Sequence, residues 1–297
     1  MSPTAASTDS PPPSPLQSSR MNPAAHHSPG SIAFIGGGNM ATALIGGLLR
    51  TGWSADSVLV VGPQPAQRKA LSERFGVTCL AEAGAALVAA ATVVWAVKPQ
   101  GFREAAGACA PHVSKALQLS VMAGIRSDAI AAALGTERVV RSMPNTPALI
   151  GEGISGLYAR PAVTAVERAR IEAMLAPTGQ LLWVDAETLL DAVTALSGSG
   201  PAYVFYVLEA LIEAGVSLGL APDAARQLAL ATLKGATALA RQSDEPPQVL
   251  RERVTSKGGT TFAALSSLEA DGVKPAFLRA LKAAHQRAGE LGDEFGA

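Results

Sequence analysis

Residues 31–50, SIAFIGGGNMATALIGGLLR, limit what this chain can fold into more than any other stretch. Ile32, Phe34 and Ile35 make a short apolar run suited to a buried strand, and Gly36-Gly37-Gly38 ends it. From Asn39 the apolar residues Met40, Leu44, Ile45, Leu48 and Leu49 recur at helical spacing. Gly36, Gly38 and Ala41 match G-x-G-x-x-A in the strand–turn–helix setting that gives the pattern its mechanism. Gly36 permits the tight turn, Gly38 leaves room for a pyrophosphate, and Ala41 lets helix and strand pack closely. The helix start then offers N–H groups to phosphate oxygens. A dinucleotide site is therefore expected at Ile35, Gly36, Gly37, Gly38, Asn39, Met40 and Ala41.

Strand and helix patterns alternate from 31 to about 160. Strands are expected at 31–35, 57–61, 77–80, 92–97, 117–122 and 138–142. Helices are expected at 39–50, 65–75, 82–90, 101–109 and 127–134. This order means βαβ units, hence an α/β Rossmann-type N-terminal domain with a mostly parallel sheet. Ligands bind at the carboxyl ends of such strands. Ala96, Val97, Lys98 and Pro99 fall at that edge, as do Val121, Met122 and Ala123. The loop RSMPNTP (141–147) follows there, with Asn145 and Thr146 as hydrogen-bonding groups. The second strand ends in Val61-Gly62-Pro63-Gln64, without the acid that holds an NAD ribose. Arg68 and Lys69 come soon after. Gly62, Gln64 and Arg68 thus join the cofactor set, and NADPH is favoured over NADH.

After about 178 the strand signal fades and an all-α C-terminal domain is expected. The division is a disordered tail at 1–30, a Rossmann domain at 31–178 and a helical domain at 179–297. Residues 202–220 carry apolar side chains around most of their girth, as in a bundle or a subunit interface. Ser197-Gly198-Ser199-Gly200 and Gly258-Gly259-Thr260-Thr261 each precede a helix. Both turns are read as presenting free N–H groups to an anion, which suits a carboxylate substrate.

Charged residues are only 16% of the 297, and the formal net charge is zero. No basic stripe argues for nucleic acid or an anionic membrane surface. The longest tempting apolar run, 83–97, is shorter than a membrane span needs. Cys79 and Cys109 form no metal or redox motif, and His26, His27, His112 and His285 are scattered, so no metal site is expected. Ser197 and Ser199 do not match G-x-S-x-G, and no G-K-[ST] pattern occurs. A soluble cytoplasmic oxidoreductase is the reading left.

Five stretches in order then carry a resemblance: FIGGGNMA (34–41), AVKPQ (96–100), RSMPNTPA (141–148), DAVTALSGSGPAYVF (191–205) and LRERVTSKGGTT (250–261). From about 31 to 290 the chain resembles the pyrroline-5-carboxylate reductases. That resemblance implies reduction of 1-pyrroline-5-carboxylate to L-proline with NADPH, the last step of proline biosynthesis. It implies a homodimer interlocked through the helical domains, often assembled further into a decamer. It places substrate at Gly258, Gly259, Thr260 and Thr261, aided by Ser197, Gly198, Ser199 and Gly200, with Asp244 or Glu245 near an acidic substrate-side position. Thr261 is implied as the catalytic residue that hydrogen-bonds the ring nitrogen. Lys257 stands where many relatives have proline, and 62–64 lacks the polar-plus-arginine pair many of them carry. Two other readings share the pattern: a two-domain NADP-dependent dehydrogenase acting on a small hydroxy acid, and a non-catalytic dinucleotide sensor.

Overall fold

Alternating apolar residues in the N-terminal strands give the sheet two greasy faces, and helices cover both. The computed structural model describes residues 30–296; the tail expected at 1–30 lies, apart from Gly30, outside them. The strands are β1 (Ile32–Ile35), β2 (Val58–Val61), β3 (Thr78–Leu80), β4 (Thr92–Trp95), β5 (Leu117–Ser120), β6 (Val139–Met143), β7 (Gly153–Ala159) and β8 (Gly179–Trp183). They form one sheet in the order β3-β2-β1-β4-β5-β6-β7-β8. The first six run parallel, β7 is antiparallel to β6, and β8 is parallel to β7.

The helices are α1 (Asn39–Arg50), α2 (Pro65–Phe75), α3 (Phe102–Val113), α4 (Ser127–Leu134), α5 (Ala165–Leu175), α6 (Leu189–Val193), α7 (Gly200–Ser217), α8 (Pro222–Gln242), α9 (Pro247–Arg253), α10 (Thr260–Ala270) and α11 (Val273–Gly296). Leu44, Ile45 and Leu48 of α1 and Ile171, Met174 and Leu175 of α5 bury against Ile32, Phe34, Val94 and Leu119. On the other face Phe102, Ala106, Cys109 and Val113 of α3 and Ile130 and Leu134 of α4 bury against Ala33, Ile35, Val93 and Trp95. Each large side chain so buried contributes about 1.5–3 kcal/mol. The polar Gln118 inside this core is satisfied: it accepts from Trp95 Nε1 at 2.9 Å and donates to the Val113 and Ala116 carbonyls.

Three features depart from the sequence reading. The helix expected at 82–90 is a short 3-10 turn, Ala85–Ala89, in which Leu87 alone is buried. Strands β7 and β8 and helix α5 lie outside the expected elements, and the sheet continues past 178. Glycine hid β7, yet its pairing needs glycine: Gly179 has φ +134°, and a Cβ on it would stand 2.0 Å from the Gly153 carbonyl oxygen. The third departure is that α6 and α7 are joined by a π-turn, Thr194–Gly198, into one helical run, Leu189–Ser217. By length and composition alone this run could cross a membrane, a length hidden when the sequence is divided at Ser197–Gly200. It carries Asp191, Glu209 and Glu213.

Candidate active site

The strand order reverses between β1 and β4, and an open crevice is expected outside their carboxyl ends. Backbone hydrogen bonds tie the strand ends together there. The Gly36 N–H donates to the Val61 carbonyl at 2.8 Å, the Ala96 N–H to Ile35 at 2.8 Å, and the Val121 N–H to Trp95 at 3.0 Å. Ile35 through Ala41, Gly62 through Arg68, Ala96 through Pro99, and Val121 through Ala123 therefore share one edge.

The three glycines of the first turn have different jobs. Gly36 has φ +98°, and a Cβ would meet the Ala96 carbonyl oxygen at 2.6 Å. Gly37 is buried, with the place of its missing Cβ 2.7 Å from Leu71 Cδ1. Gly38 has nothing within 4 Å of that place. It caps α1 with φ −72° and no side-chain hydrogen bond. The N–H groups of Asn39, Met40 and Ala41 therefore begin a helix behind open space, the arrangement that receives a phosphate. Asn39 is exposed and Met40 half-buried, while Ala41 is buried against the strand.

At the end of β2 the Gly62 N–H donates to the Leu80 carbonyl, and the Gly62 oxygen accepts from Arg68 Nη1 at 2.7 Å. Arg68 is half-buried and held back over the strand end, beside the exposed Gln64 that caps α2. Lys69 instead points along the exposed face of α2 to Glu73 at 3.7 Å. No acid lies between 62 and 72, so a 2′-phosphate would meet a cation and no carboxylate. Lys98 is exposed just before a short turn at Pro99–Gly101.

Ser199 caps α7, with Pro201 in its first turn, but the chain before it is already helical through the π-turn. The Ser199 N–H donates to the Thr194 carbonyl at 2.9 Å, and the Ser197 hydroxyl to Val193 at 3.0 Å. The Ser199 N–H is thus committed to the turn and not free for an anion. Proline explains the π-turn: Pro201 has no N–H and its ring crowds the carbonyl four residues back. That carbonyl, on Ser197, accepts instead from Asn145 Nδ2 at 3.2 Å, while Asn145 Oδ1 accepts from the Ile154 N–H at 3.0 Å. Gly198 packs where a Cβ would sit 2.6 Å from Met143 Cε. The turn is thus seated on the carboxyl end of β6, along the same edge as the cofactor loops.

Gly258–Thr261 does behave as a helix start. Gly258 has φ +78° and Gly259 is the N-cap of α10. The first backbone bond of α10 is from Ala263 N–H to the Gly259 carbonyl, which leaves the N–H groups of Thr260, Thr261 and Phe262 outward. Neither threonine hydroxyl is hydrogen-bonded among the described residues. Thr261 is half-buried and Thr260 exposed. Asp244 and Glu245 lie in the link between α8 and α9; Glu245 pairs with Arg253 at 2.5 Å, and Asp244 is exposed.

Residues the sequence reading passed over join the two halves. Glu187 accepts from the Ser127 N–H at 2.6 Å, from the Ser127 hydroxyl at 2.5 Å and from Arg141 Nη1 at 2.7 Å. Arg126 grips Asp191 with both ends of its fork, at 3.1 and 2.9 Å. Burial pushes the Arg141 guanidinium below its ordinary range, against the pull of Glu187. These pairs span 46 to 65 positions of sequence, and no local pattern announces them.

A glycine-floored crevice at a parallel-sheet switch point, in a chain whose helical half carries its own open helix start, defines a nucleotide-dependent oxidoreductase. Residues 187–291 match the pyrroline-5-carboxylate reductase dimerisation model, and residues 31–124 match a model described as NADP oxidoreductase, coenzyme F420-dependent. The chain is 43% identical to a pyrroline-5-carboxylate reductase of Pseudomonas aeruginosa over 267 residues, covering 89% of this chain and 98% of that one. A Haemophilus influenzae enzyme of the same name is 39% identical, with 88% and 97% covered. Among solved structures, a pyrroline-5-carboxylate reductase from Coxiella burnetii superposes with TM-score 0.82 at 34% identity, covering 89% and 98%. A Plasmodium falciparum pyrroline carboxylate reductase with NADP bound gives 0.80 at 28% identity, with the same coverage. The chain belongs to the pyrroline-5-carboxylate reductase family.

Proposed function

We propose that this protein reduces the cyclic imine 1-pyrroline-5-carboxylate to L-proline with NADPH. The observation that carries the reading is the open start of α10. Outward N–H groups and two uncommitted threonine hydroxyls stand there, in a chain whose relatives share the activity along nearly its whole length.

Bound NADPH would supply a hydride from its nicotinamide C4 to the imine carbon, and the ring nitrogen takes up a proton from solvent. An imine carbon is already electrophilic, so orientation can supply much of the barrier lowering. The α1 N-terminus would hold the pyrophosphate over Gly38, and Arg68 the 2′-phosphate. The backbone of Ala96–Pro99 and Val121–Ala123 would line the nicotinamide side. The Thr260–Phe262 N–H groups would take the substrate carboxylate, with the Thr194–Gly198 turn closing the other side. The Thr261 hydroxyl is both donor and acceptor, so it can hold the ring nitrogen before and after protonation. Asp244 or Glu245 would supply an acid near the substrate, Glu245 steadied by Arg253.

The helical half is a homodimer interface in this reading. No residue of α7 is buried within one chain, and Val204, Phe205, Tyr206 and Leu211 are all exposed. So large an apolar face marks an association surface. A native mass near twice the 30.2 kDa chain would mean a dimer, and one near ten times it a decamer. A cytoplasmic location, with NADPH at hand and both cysteines reduced, fits this chemistry.

The test is NADPH oxidation with 1-pyrroline-5-carboxylate, set against a panel of hydroxy and keto acids. Turnover is expected with the imine alone. Turnover with a hydroxy or keto acid and none with the imine would overturn the assignment.

A further inference from the structure

Outside the crevice, charged side chains gather at the seam between the sheet and the helical half. Two cations and three acids converge there, contributed by α4, β6, α6, the link before α6, and α11. Arg126 directly precedes α4 and lies three residues beyond the cofactor-edge segment 121–123. Its guanidinium makes the two-pronged pair with Asp191 on α6, and Asp191, Glu187 and Asp293 all hold it charged. Glu187 takes the Ser127 N–H and hydroxyl and the Arg141 guanidinium. From the far end of the chain, α11 presses onto the same place. A Cβ on Gly124 would stand 3.2 Å from the Leu291 carbonyl oxygen, and one on Gly292 would stand 2.6 Å from Arg126 Nε and Nη2. Asp191 lies just before the Thr194–Gly198 turn.

We propose that Arg126 is a positioning residue: by gripping Asp191 beneath α11 it sets the angle at which the helical half meets the cofactor edge, and so holds the Thr194–Gly198 turn in register for hydride transfer. A bidentate guanidinium–carboxylate pair fixes direction as well as distance. Arg126 is the right place to perturb it. Arg141 Nε is buried without an acceptor among the described residues, so removing Glu187 would strand a buried cation and threaten the fold. Arg126 and Asp191 are only partly buried, and their pair can be rebuilt in reverse.

The inference rests on imine reduction being the reaction, so wild type is measured alongside; if wild type does not turn over the imine, that reading fails by itself. Amide hydrogen exchange across 194–200 reads the clasp whatever the substrate. Three variants are compared: Arg126→Lys, which keeps the charge and loses the fork; the swap Arg126→Asp with Asp191→Arg; and Gly292→Ala. The last favours helix while pushing the guanidinium aside, so any loss it causes is not a loss of helix stability. For Arg126→Lys and Gly292→Ala we expect kcat to fall about tenfold or more, as for a small misplacement of reacting groups. NADPH Kd should stay within about twofold, native mass should be unchanged, and exchange at 194–200 should quicken. The swap should recover most of the lost kcat. The proposal is overturned if kcat stays within about twofold of wild type in both single variants, if exchange at 194–200 is unmoved, or if the swap is no better than Arg126→Lys.

Discussion

Alanine at Gly38 and alanine at Gly36 should fail in opposite ways, although the two positions are neighbours but one. At Gly36 the backbone sits at φ +98°, and the added Cβ would meet Ala96 oxygen at 2.6 Å, Ala96 carbon at 2.8 Å and Val97 nitrogen at 3.0 Å. All three are backbone atoms, so no flexible side chain can yield. Backbone strain of this kind costs about 1–3 kcal/mol, and overpacking adds about 1–3 kcal/mol. Against a total stability of about 5–15 kcal/mol, that lowers Tm by roughly 5–20 °C. At Gly38 the backbone, φ −72° and ψ −170°, suits any residue, and the new methyl meets nothing within 4 Å. The fold should melt within about 2 °C of wild type. The methyl does occupy the space before the α1 N–H groups. Each hydrogen bond lost to a phosphate oxygen is worth about 1.5–3 kcal/mol, so NADPH should bind about ten- to a hundredfold more weakly. Thermal melts and a nucleotide fluorescence titration decide it. Unchanged NADPH affinity in Gly38→Ala, or wild-type melting of Gly36→Ala, would refute the reasoning.

Arg68→Ala should raise the Kd for NADPH by about tenfold and leave NADH nearly unchanged, since a charged contact to a 2′-phosphate is worth about 1.5 kcal/mol or more; titration with both nucleotides checks it. Burial pulls the Glu167 carboxyl up, but the Thr164 N–H, Arg138 and the Thr164 hydroxyl outweigh it and hold it below its ordinary 4.5. A depressed carboxyl stabilises the fold above its unfolded value and loses that contribution as pH falls through the lower folded value. The urea midpoints of wild type and Glu167→Gln should therefore differ at pH 7 and converge as the pH falls through the lowered folded value. Burial pushes the Cys109 thiol up to about 11, so iodoacetamide at pH 8 should label it only after unfolding; peptide mapping reads this directly.

The six parallel strands were legible because each is an apolar run punctuated by glycine, proline or a helical pattern, as at residues 31–39. β7 and β8 are not, because glycines 153 and 179, which allow their close pairing, and Gly156, which seats Val193 of α6, break the apolar pattern. Helix α5 did carry a signal: Thr164 and Glu167 form a capping box in the structure, and the T-x-x-E spacing was there to be read. At 197–201 the start of α7 is legible, with Pro201 in its first turn, but the π-turn that runs α6 into it, and the Ser197 carbonyl that Asn145 takes up, are not. The seam of Arg126, Arg141, Glu187 and Asp191 lay beyond reach, because its partners meet only once the sheet is built. Of the candidate site, the cofactor edge was the most local and the most readable. The turn at 258–261 could be seen as a helix start, but its ligand came from family likeness and not from spacing.

Where the hydride goes tests the account most directly. NADPH carrying deuterium on the transferring face of nicotinamide C4 is incubated with 1-pyrroline-5-carboxylate and the protein, and the product is weighed by mass spectrometry. L-Proline one mass unit heavier is expected, with the label on the former imine carbon; the rate should drop strongly in Thr261→Ala while NADPH affinity holds. Unlabelled proline, no proline, or full turnover in Thr261→Ala would contradict the site described here.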